Sequence, residues 1–223
     1  MRVTCISDTH SKHGQIPEEW LDNKEFKDSM IIHAGDVSTR GYEHEIKNFL
    51  TWYSSLTQFE HKIFIPGNHD WYFQDNPIQA TELLKEYPNI VYLNNSGCKI
   101  NNINIWGSGI TPTFFNWAFN KDRGEDIAKY WRLIPADTKI LITHGPARDH
   151  GDLVINKWSP NGGERVGCID LLEAIERVKP KFHIVGHIHC GHGITTNENT
   201  TFINAAVLNE EYNIANKPII FEI

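Results

Sequence analysis

Five short polar clusters recur along the chain, and their side chains are those of a metal centre. In order they are Asp8-Thr9-His10, Gly35-Asp36, Gly67-Asn68-His69-Asp70, His144-Gly145-Pro146 and Gly186-His187-Ile188-His189. Singly they carry little weight, since Asp-x-His and Gly-Asp are common turn sequences. Gly-Asn-His-Asp is more specific, because Asn, His and Asp rarely crowd together without hydrogen-bonding or ligand duties. In Gly-His-Ile-His, alternate residues of an extended segment face one way, so both imidazoles can aim at one point. Jointly, five successive clusters offer oxygen and imidazole donors and nothing apolar.

Asp, Asn and His together suit Mn²⁺, Fe²⁺ or Zn²⁺. An all-oxygen Mg²⁺ or Ca²⁺ site does not want so many imidazoles, and a closed structural zinc site prefers cysteine. The expected cofactor is two divalent transition metal ions, Mn²⁺ first, with Fe²⁺, Zn²⁺ or Ni²⁺ as alternatives. Asp8, His10, Asp36, Asn68, His144, His187 and His189 are too many donors for one such ion and about right for two. A shared carboxylate keeps paired ions ~3.5–4 Å apart, as in two-metal hydrolytic centres, and Asp36 is the natural bridge. No serine or cysteine stands in a nucleophile motif, so covalent catalysis has little support. Of the 12 histidines, five lie in these clusters. His13, His44, His61, His150 and His192 read as surface or loop residues, and His33 and His183 as satisfied core histidines inside apolar strands.

Each cluster follows a short β-branched run: Val3–Ser7, Met30–His33, Lys62–Pro66, Lys139–Thr143 and Phe182–Val185. Helical stripes lie between the runs. Over Tyr42–Leu56 the apolar residues are Ile46, Phe49, Leu50 and Tyr53; over Cys168–Val178 they are Leu171, Leu172, Ile175 and Val178. Pro77–Tyr87 is a weaker helix. Cys98–Gly107 reads as a hairpin turning at Asn101-Asn102, and Thr201–Ala205 and Pro218–Ile223 as further strands. This order predicts mixed sheets with helices outside, and clusters at strand ends where α/β sheets collect ligands.

The 223 residues fit one domain, 1–223, with no repeat or linker. Hydrophobic residues at 40% and charged ones at 22% exclude disorder. A net charge of -7 without basic runs argues against duplex nucleic acid, but not against a small phosphate ester once metal has made the pocket positive. Cys5, Cys98, Cys168 and Cys190 form no C-x-x-C pair or secreted framework; Cys5 and Cys168 read as buried hydrophobes, and Cys190, next to His189, as the weaker possibility of a soft ligand. With no signal-like start and no membrane-length apolar stretch, a cytoplasmic location and no membrane partner are the expectation.

The series Asp8-x-His10, Gly35-Asp36, Gly67-Asn68-His69-Asp70, His144 and Gly186-His187-Ile188-His189 resembles the calcineurin-like metallophosphoesterase superfamily. All five of its blocks are present in order, with Thr143 where the family usually has glycine. CISDTHS (5–11), IHAGD (32–36), NWAFN (116–120), LITHGPA (141–147), RVGCIDLLEAI (165–175) and TTFINAAVLN (200–209) are similar to the brain-type metallophosphoesterase domain-containing group; loops around 12–28 and 148–164 lack a clear counterpart. The resemblance implies a four-layer α/β/β/α sandwich of two mixed sheets flanked by helices. It implies that Asp8, His10, Asp36 and His189 hold one ion, and Asp36, Asn68, His144 and His187 the other. It makes His69 the general acid and Asp70 the residue that orients its ring. Attack by a metal-bridging hydroxide on a small phosphodiester, cyclic nucleotides among the candidates, is the implied reaction.

The rings of Phe114, Phe115, Trp117 and Phe119, and of Trp71, Tyr72 and Phe73, are expected mostly in the core, with one or two walling the pocket. Asn116, Asn120 and Arg123 are then candidates for sugar or phosphate binding. Two readings compete with the diesterase. A phosphomonoesterase calls for an extra cation, with Arg123, Arg148 and Arg165 as candidates. A non-catalytic scaffold fits less well, because such relatives lose the histidine that here is His69.

Overall fold

The structure, a computed structural model, describes residues 1–155 and 162–223, so part of the 148–164 loop lies outside the described residues. β1 (Arg2–Ile6), β2 (Ser29–His33), β3 (His61–Phe64), β4 (Val91–Tyr92) and β15 (Ile219–Glu222) form one sheet in the order β15-β1-β2-β3-β4. A second holds β5 (Ser96–Ile100), β6 (Ile103–Ser108), β9 (Ile140–Thr143), β12 (Phe182–Val185), β13 (Gly193–Thr196) and β14 (Thr201–Asn204), in the order β13-β14-β12-β9-β6-β5. Both sheets are mixed: β1–β4 and β14-β12-β9-β6 run parallel, with β15, β13 and β5 antiparallel at the edges. Two short pairs, β7 (Thr111–Pro112) with β8 (Asn120–Lys121) and β10 (Leu153–Val154) with β11 (Glu164–Arg165), lie outside the sheets.

Strand alternation builds the layers. Val3, Cys5, Met30, Ile32 and Ile63 of the first sheet share one core with Ile140, Ile142, Ile184 and Ile203 of the second. Ile31, Phe64, Leu141 and Phe202 face the other way, into the core that holds the helices. Those helices are α1 (Glu43–Ser55), α2 (Trp71–Asp75), α3 (Pro77–Leu84), α4 (Glu125–Trp131) and α5 (Ile169–Val178). The result is the expected α/β/β/α sandwich. The α1 stripe is buried as its spacing predicts, and the Tyr53 hydroxyl, 2.9 and 2.8 Å from the carbonyls of Ile31 and Ile63, pins the helix to the sheet. In α5, Ala174 joins the buried stripe, whereas Leu172 is only half-buried. The 98–107 hairpin forms as β5 and β6, with Asn101 and Asn102 both at positive φ in its turn.

Some elements differ from expectation. The third helix ends at Leu84, and α2 and α4 went unforeseen because five and seven residues are too short to show a stripe. His13 is no surface residue: a short 3₁₀ turn folds it onto α1, where Nε2 meets Asn48 Oδ1 at 2.6 Å. His33 and His183 are core histidines bonded to Thr9 and Thr143, and Cys5 and Cys168 are buried, as read. Among the described residues no helix is long and apolar enough to cross a membrane.

Candidate metal centre

The clusters sit just past the carboxyl ends of β1, β2, β3, β9 and β12, where parallel strands of both sheets end side by side. Beyond the strands the two sheets are joined by a parallel bridge between Ser7 and Ala206. Successive turns also hold one another: Asp8 N–H donates to Gly35 O, His10 N–H to Asp36 O, and Gly186 N–H to His144 O. The backbone is drawn so close that a Cβ at Gly67 would overlap the Asp36 carboxylate, and one at Gly186 the Asp8 carboxylate. Glycine in these two motifs is therefore what lets donors from separate strands converge.

All seven expected donors meet here. Asp8 Oδ1 lies 3.6 Å from His189 Nε2, and Asp36 Oδ2 lies 3.6 Å from His10 Nε2 and 3.2 Å from His144 Nε2. Asn68 Oδ1 stands 2.9 Å from His144 Nε2. His187 groups its ligand atom with those of Asp36 and His144, and its N–H donates to Asp8. Two donor sets result, Asp8/His10/His189 and Asp36/His144/His187, linked by His10 and Asp36 in a third set with His69.

The rings are aimed from behind. His144 Nδ1 lies 2.9 Å from Ala34 O, His189 Nδ1 3.0 Å from Asn209 O, and His69 Nδ1 2.7 Å from Thr39 O. A carbonyl only accepts, so each ring carries its proton on Nδ1, and in the neutral form turns the Nε2 lone pair inward. His10 is buried with neither ring nitrogen hydrogen-bonded.

Electrostatics point the same way. Burial opposes ionisation of Asp36, yet His144, His69 and His10 hold its carboxyl well below the usual range; Asp8 is likewise held down by His189 and His144 against burial. Burial disfavours the charged form of His144, but Asp36 and Asp8 push it up to about 9, and Asp8 does the same for His189. Burial lowers His10 and His187 to about 4. Two buried carboxylates thus demand positive charge, and an unbonded imidazole stands between them. Those are the features of a divalent-cation site, and the donor set fits such ions.

The chain is similar to known proteins in sequence and in fold. The model of the calcineurin-like phosphoesterase family matches residues 1–191. The chain belongs to that family. It is similar to metallophosphoesterase domain-containing protein 1 of Homo sapiens, at 36% identity over 245 residues, covering 100% of this chain and 71% of that protein. In fold it is similar to a 5'-nucleotidase from Candida albicans, with a TM-score of 0.55, 14% identity, and coverage of 91% of this chain and 45% of that one. It also resembles an archaeal phosphodiesterase, with a TM-score of 0.50, 15% identity, and coverage of 99% and 100%. The phosphoesterase family uses divalent metal ions, which agrees with the donor sets above.

In this phosphoesterase Asp70 has a different task from the one expected. Its oxygens accept from the N–H groups of Val37, Ser38 and Gly67 and from the Ser38 hydroxyl, so it ties the Asp36 turn to the Asn68 turn. Thr39 O orients the His69 ring instead. Glu45 fixes that Thr39 loop by accepting from the N–H groups of Thr39, Arg40 and Tyr42 and from the Ser11 hydroxyl. A glutamate at the third position of α1 was the available clue. Nothing local marks Asn209 or Tyr212, whose ring packs 5.0 Å from His10 and 5.1 Å from His189.

A cleft of ≈ 330 Å³ opens beside His69, lined by Thr39, Arg40, Tyr42, Trp71, Trp117 and Tyr212. Trp117 stacks on His69 at 4.2 Å, and Asn116 is exposed next to it. Phe119, Tyr72 and Phe73 are in the core, while Phe114 and Phe115 are exposed. Asn120 donates to the carbonyls of Phe114 and Phe115. Arg123 does not join the site: its guanidinium donates to Val166 O at 2.5 Å and Gly167 O at 2.8 Å. Arg148 donates to Arg165 O, and Arg165 pairs with Asp152. Cys190 is exposed, with Sγ 3.2 Å from Leu153 O, and is no part of the donor sets.

Proposed function

We propose that the chain is a metal-dependent phosphodiesterase for small phosphodiesters, cyclic nucleotides among them. Asp8, His10, Asp36 and His189 hold one divalent ion, and Asp36, Asn68, His144 and His187 the other, with Mn²⁺ the first candidate. Bound there, such ions activate water and neutralise phosphate charge. The protein's own part lies in placement. His69 N–H donates to Asp36 Oδ1 at 2.8 Å, which fixes the His69 backbone against the shared carboxylate. Its ring, steered by Thr39 and backed by Trp117, stands at the mouth of the cleft and donates a proton to the leaving oxygen. Trp117, Trp71 and Tyr212 give the ester's organic part an aromatic wall.

The observation that carries this reading is His69, held between the donor sets and the cleft. Its test is Mn²⁺-dependent hydrolysis of bis-p-nitrophenyl phosphate, with Asp36→Ala slower by about a hundred-fold or more. Equal rates for the two proteins sink it. One observation favours a monoesterase: Arg40 lines the cleft and could meet a second phosphate charge. Rates on p-nitrophenyl phosphate, with and without Arg40→Ala, decide between the two.

A further inference from the structure

Two histidines lie outside the donor sets yet directly behind them: His33 at the end of β2 and His183 in β12. Both are buried on the helix-facing sides of their sheets, edge-on to Phe49 and Phe202. Each turns Nε2 to a threonine hydroxyl of the neighbouring parallel strand or the turn just past it, Thr9 beyond β1 at 2.9 Å and Thr143 at the end of β9 at 2.8 Å. Thr9 stands between Asp8 and His10, and Thr143 directly precedes His144. The same device therefore occurs once in each sheet.

An apolar side chain would fill either core position at lower cost. A buried imidazole has to stay neutral, and the Nδ1 of both rings has no partner among the described residues. What the imidazole adds is the hydroxyl contact. At Thr143 its direction is determined: the hydroxyl is 2.8 Å from Gly145 O and gives its one proton there, so His183 must donate Nε2–H to it. The chain His183–Thr143–Gly145 thus brackets His144 on both sides. At Thr9 the flanking residues Asp8 and His10 have φ of 55° and 40°, a left-handed conformation that needs outside support. His33 anchors the residue between them.

We propose that Thr9–His33 and Thr143–His183 are positioning pairs that hold Asp8, His10 and His144 ready for divalent cations. The inference rests on the metal centre proposed above. The pairs act through the backbone of the donors, so their removal should show first in cation affinity.

Thr9→Val and Thr143→Val keep the shape and delete the hydroxyl; Thr9→Ser and Thr143→Ser restore it. Mn²⁺ affinity of the metal-stripped full chain is read by titration calorimetry, with melting temperature in EDTA alongside. Each valine variant is expected to bind Mn²⁺ about ten-fold or more weakly, and each serine variant within about three-fold of the parent. Parent-like affinity in the valine variants, with only a lower melting temperature, overturns the proposal, as does equal weakening by valine and serine. Should a valine variant fail to fold, His33→Gln and His183→Gln, which keep a donor, are set against His33→Leu and His183→Leu. Affinity kept by glutamine and lost by leucine supports the pairs, and no difference refutes them. A parent that binds Mn²⁺ no better than Asp36→Ala removes the metal centre itself and the pairs with it. Binding lost in Asp36→Ala but kept in the valine variants refutes the pairs alone.

Discussion

At the scale of single residues, function turns on which nitrogen of a ring faces inward and on how closely backbone can approach. His69 takes no position in the Asp8 or Asp36 sets with His189 or His187, but it adjoins both through His10 and Asp36. Replacing it by Asn is therefore expected to lower kcat by about 10²–10⁴-fold while Mn²⁺ affinity changes little. Steady-state kinetics on a diester and calorimetry with Mn²⁺ check the two halves, and a large affinity loss would mark His69 as a ligand instead. Gly67→Ala and Gly186→Ala place a methyl group against the carboxylates of Asp36 and Asp8. Both should lose Mn²⁺ binding while circular dichroism stays that of the parent. The donors were legible in the sequence because their chemistry is local. The orienting carbonyls of Ala34, Thr39 and Asn209 were not, because any residue carries a carbonyl and only the fold selects which one is near.

At the scale of elements, periodicity was a good guide wherever one face of an element is buried. The α1 stripe and the Phe182–Val185 strand appear as read, since spacing alone decides which side chains face the core. Helix α1 does more than pack. Glu45 in its first turn organises residues 39–42, Thr39 aims His69, and Tyr53 joins two strands of the first sheet. Leu50→Ala, a fully buried truncation in that helix, is expected to cost about 2–5 kcal/mol in urea unfolding. A loss under about 1 kcal/mol would mean that the helix packs more loosely than its burial implies. Orientation of Asp70 was misread because adjacency to His69 in sequence does not set where a carboxylate points. Four donors from the Val37–Ser38 and Gly67 turns, reached only on folding, hold it elsewhere.

For the whole molecule, the buried histidines link stability to pH. Burial lowers His33 and His183 to about 3, well under the 6.5 of an exposed ring. Between those values the unfolded chain takes up protons that the folded chain refuses, so stability is full above pH 6.5 and is lost as pH falls toward 3. Each ring contributes up to about 1.4 kcal/mol per pH unit in that window. Urea unfolding in EDTA at pH 7, 6 and 5 should show a shallower fall for His183→Gln than for the parent; identical slopes would contradict the neutral buried ring. By itself, the sequence determined the donor types, their order after five strands and the layered α/β class. Those properties are local, set by side-chain chemistry and by periods of two and 3.6 residues. Only the tertiary structure decided that the five clusters share one place, that Tyr212 and Trp117 wall it, and that Arg123 stays out. Such contacts join residues far apart in the chain, 179 positions in the case of His187 and Asp8, and only the packing of two sheets brings them together.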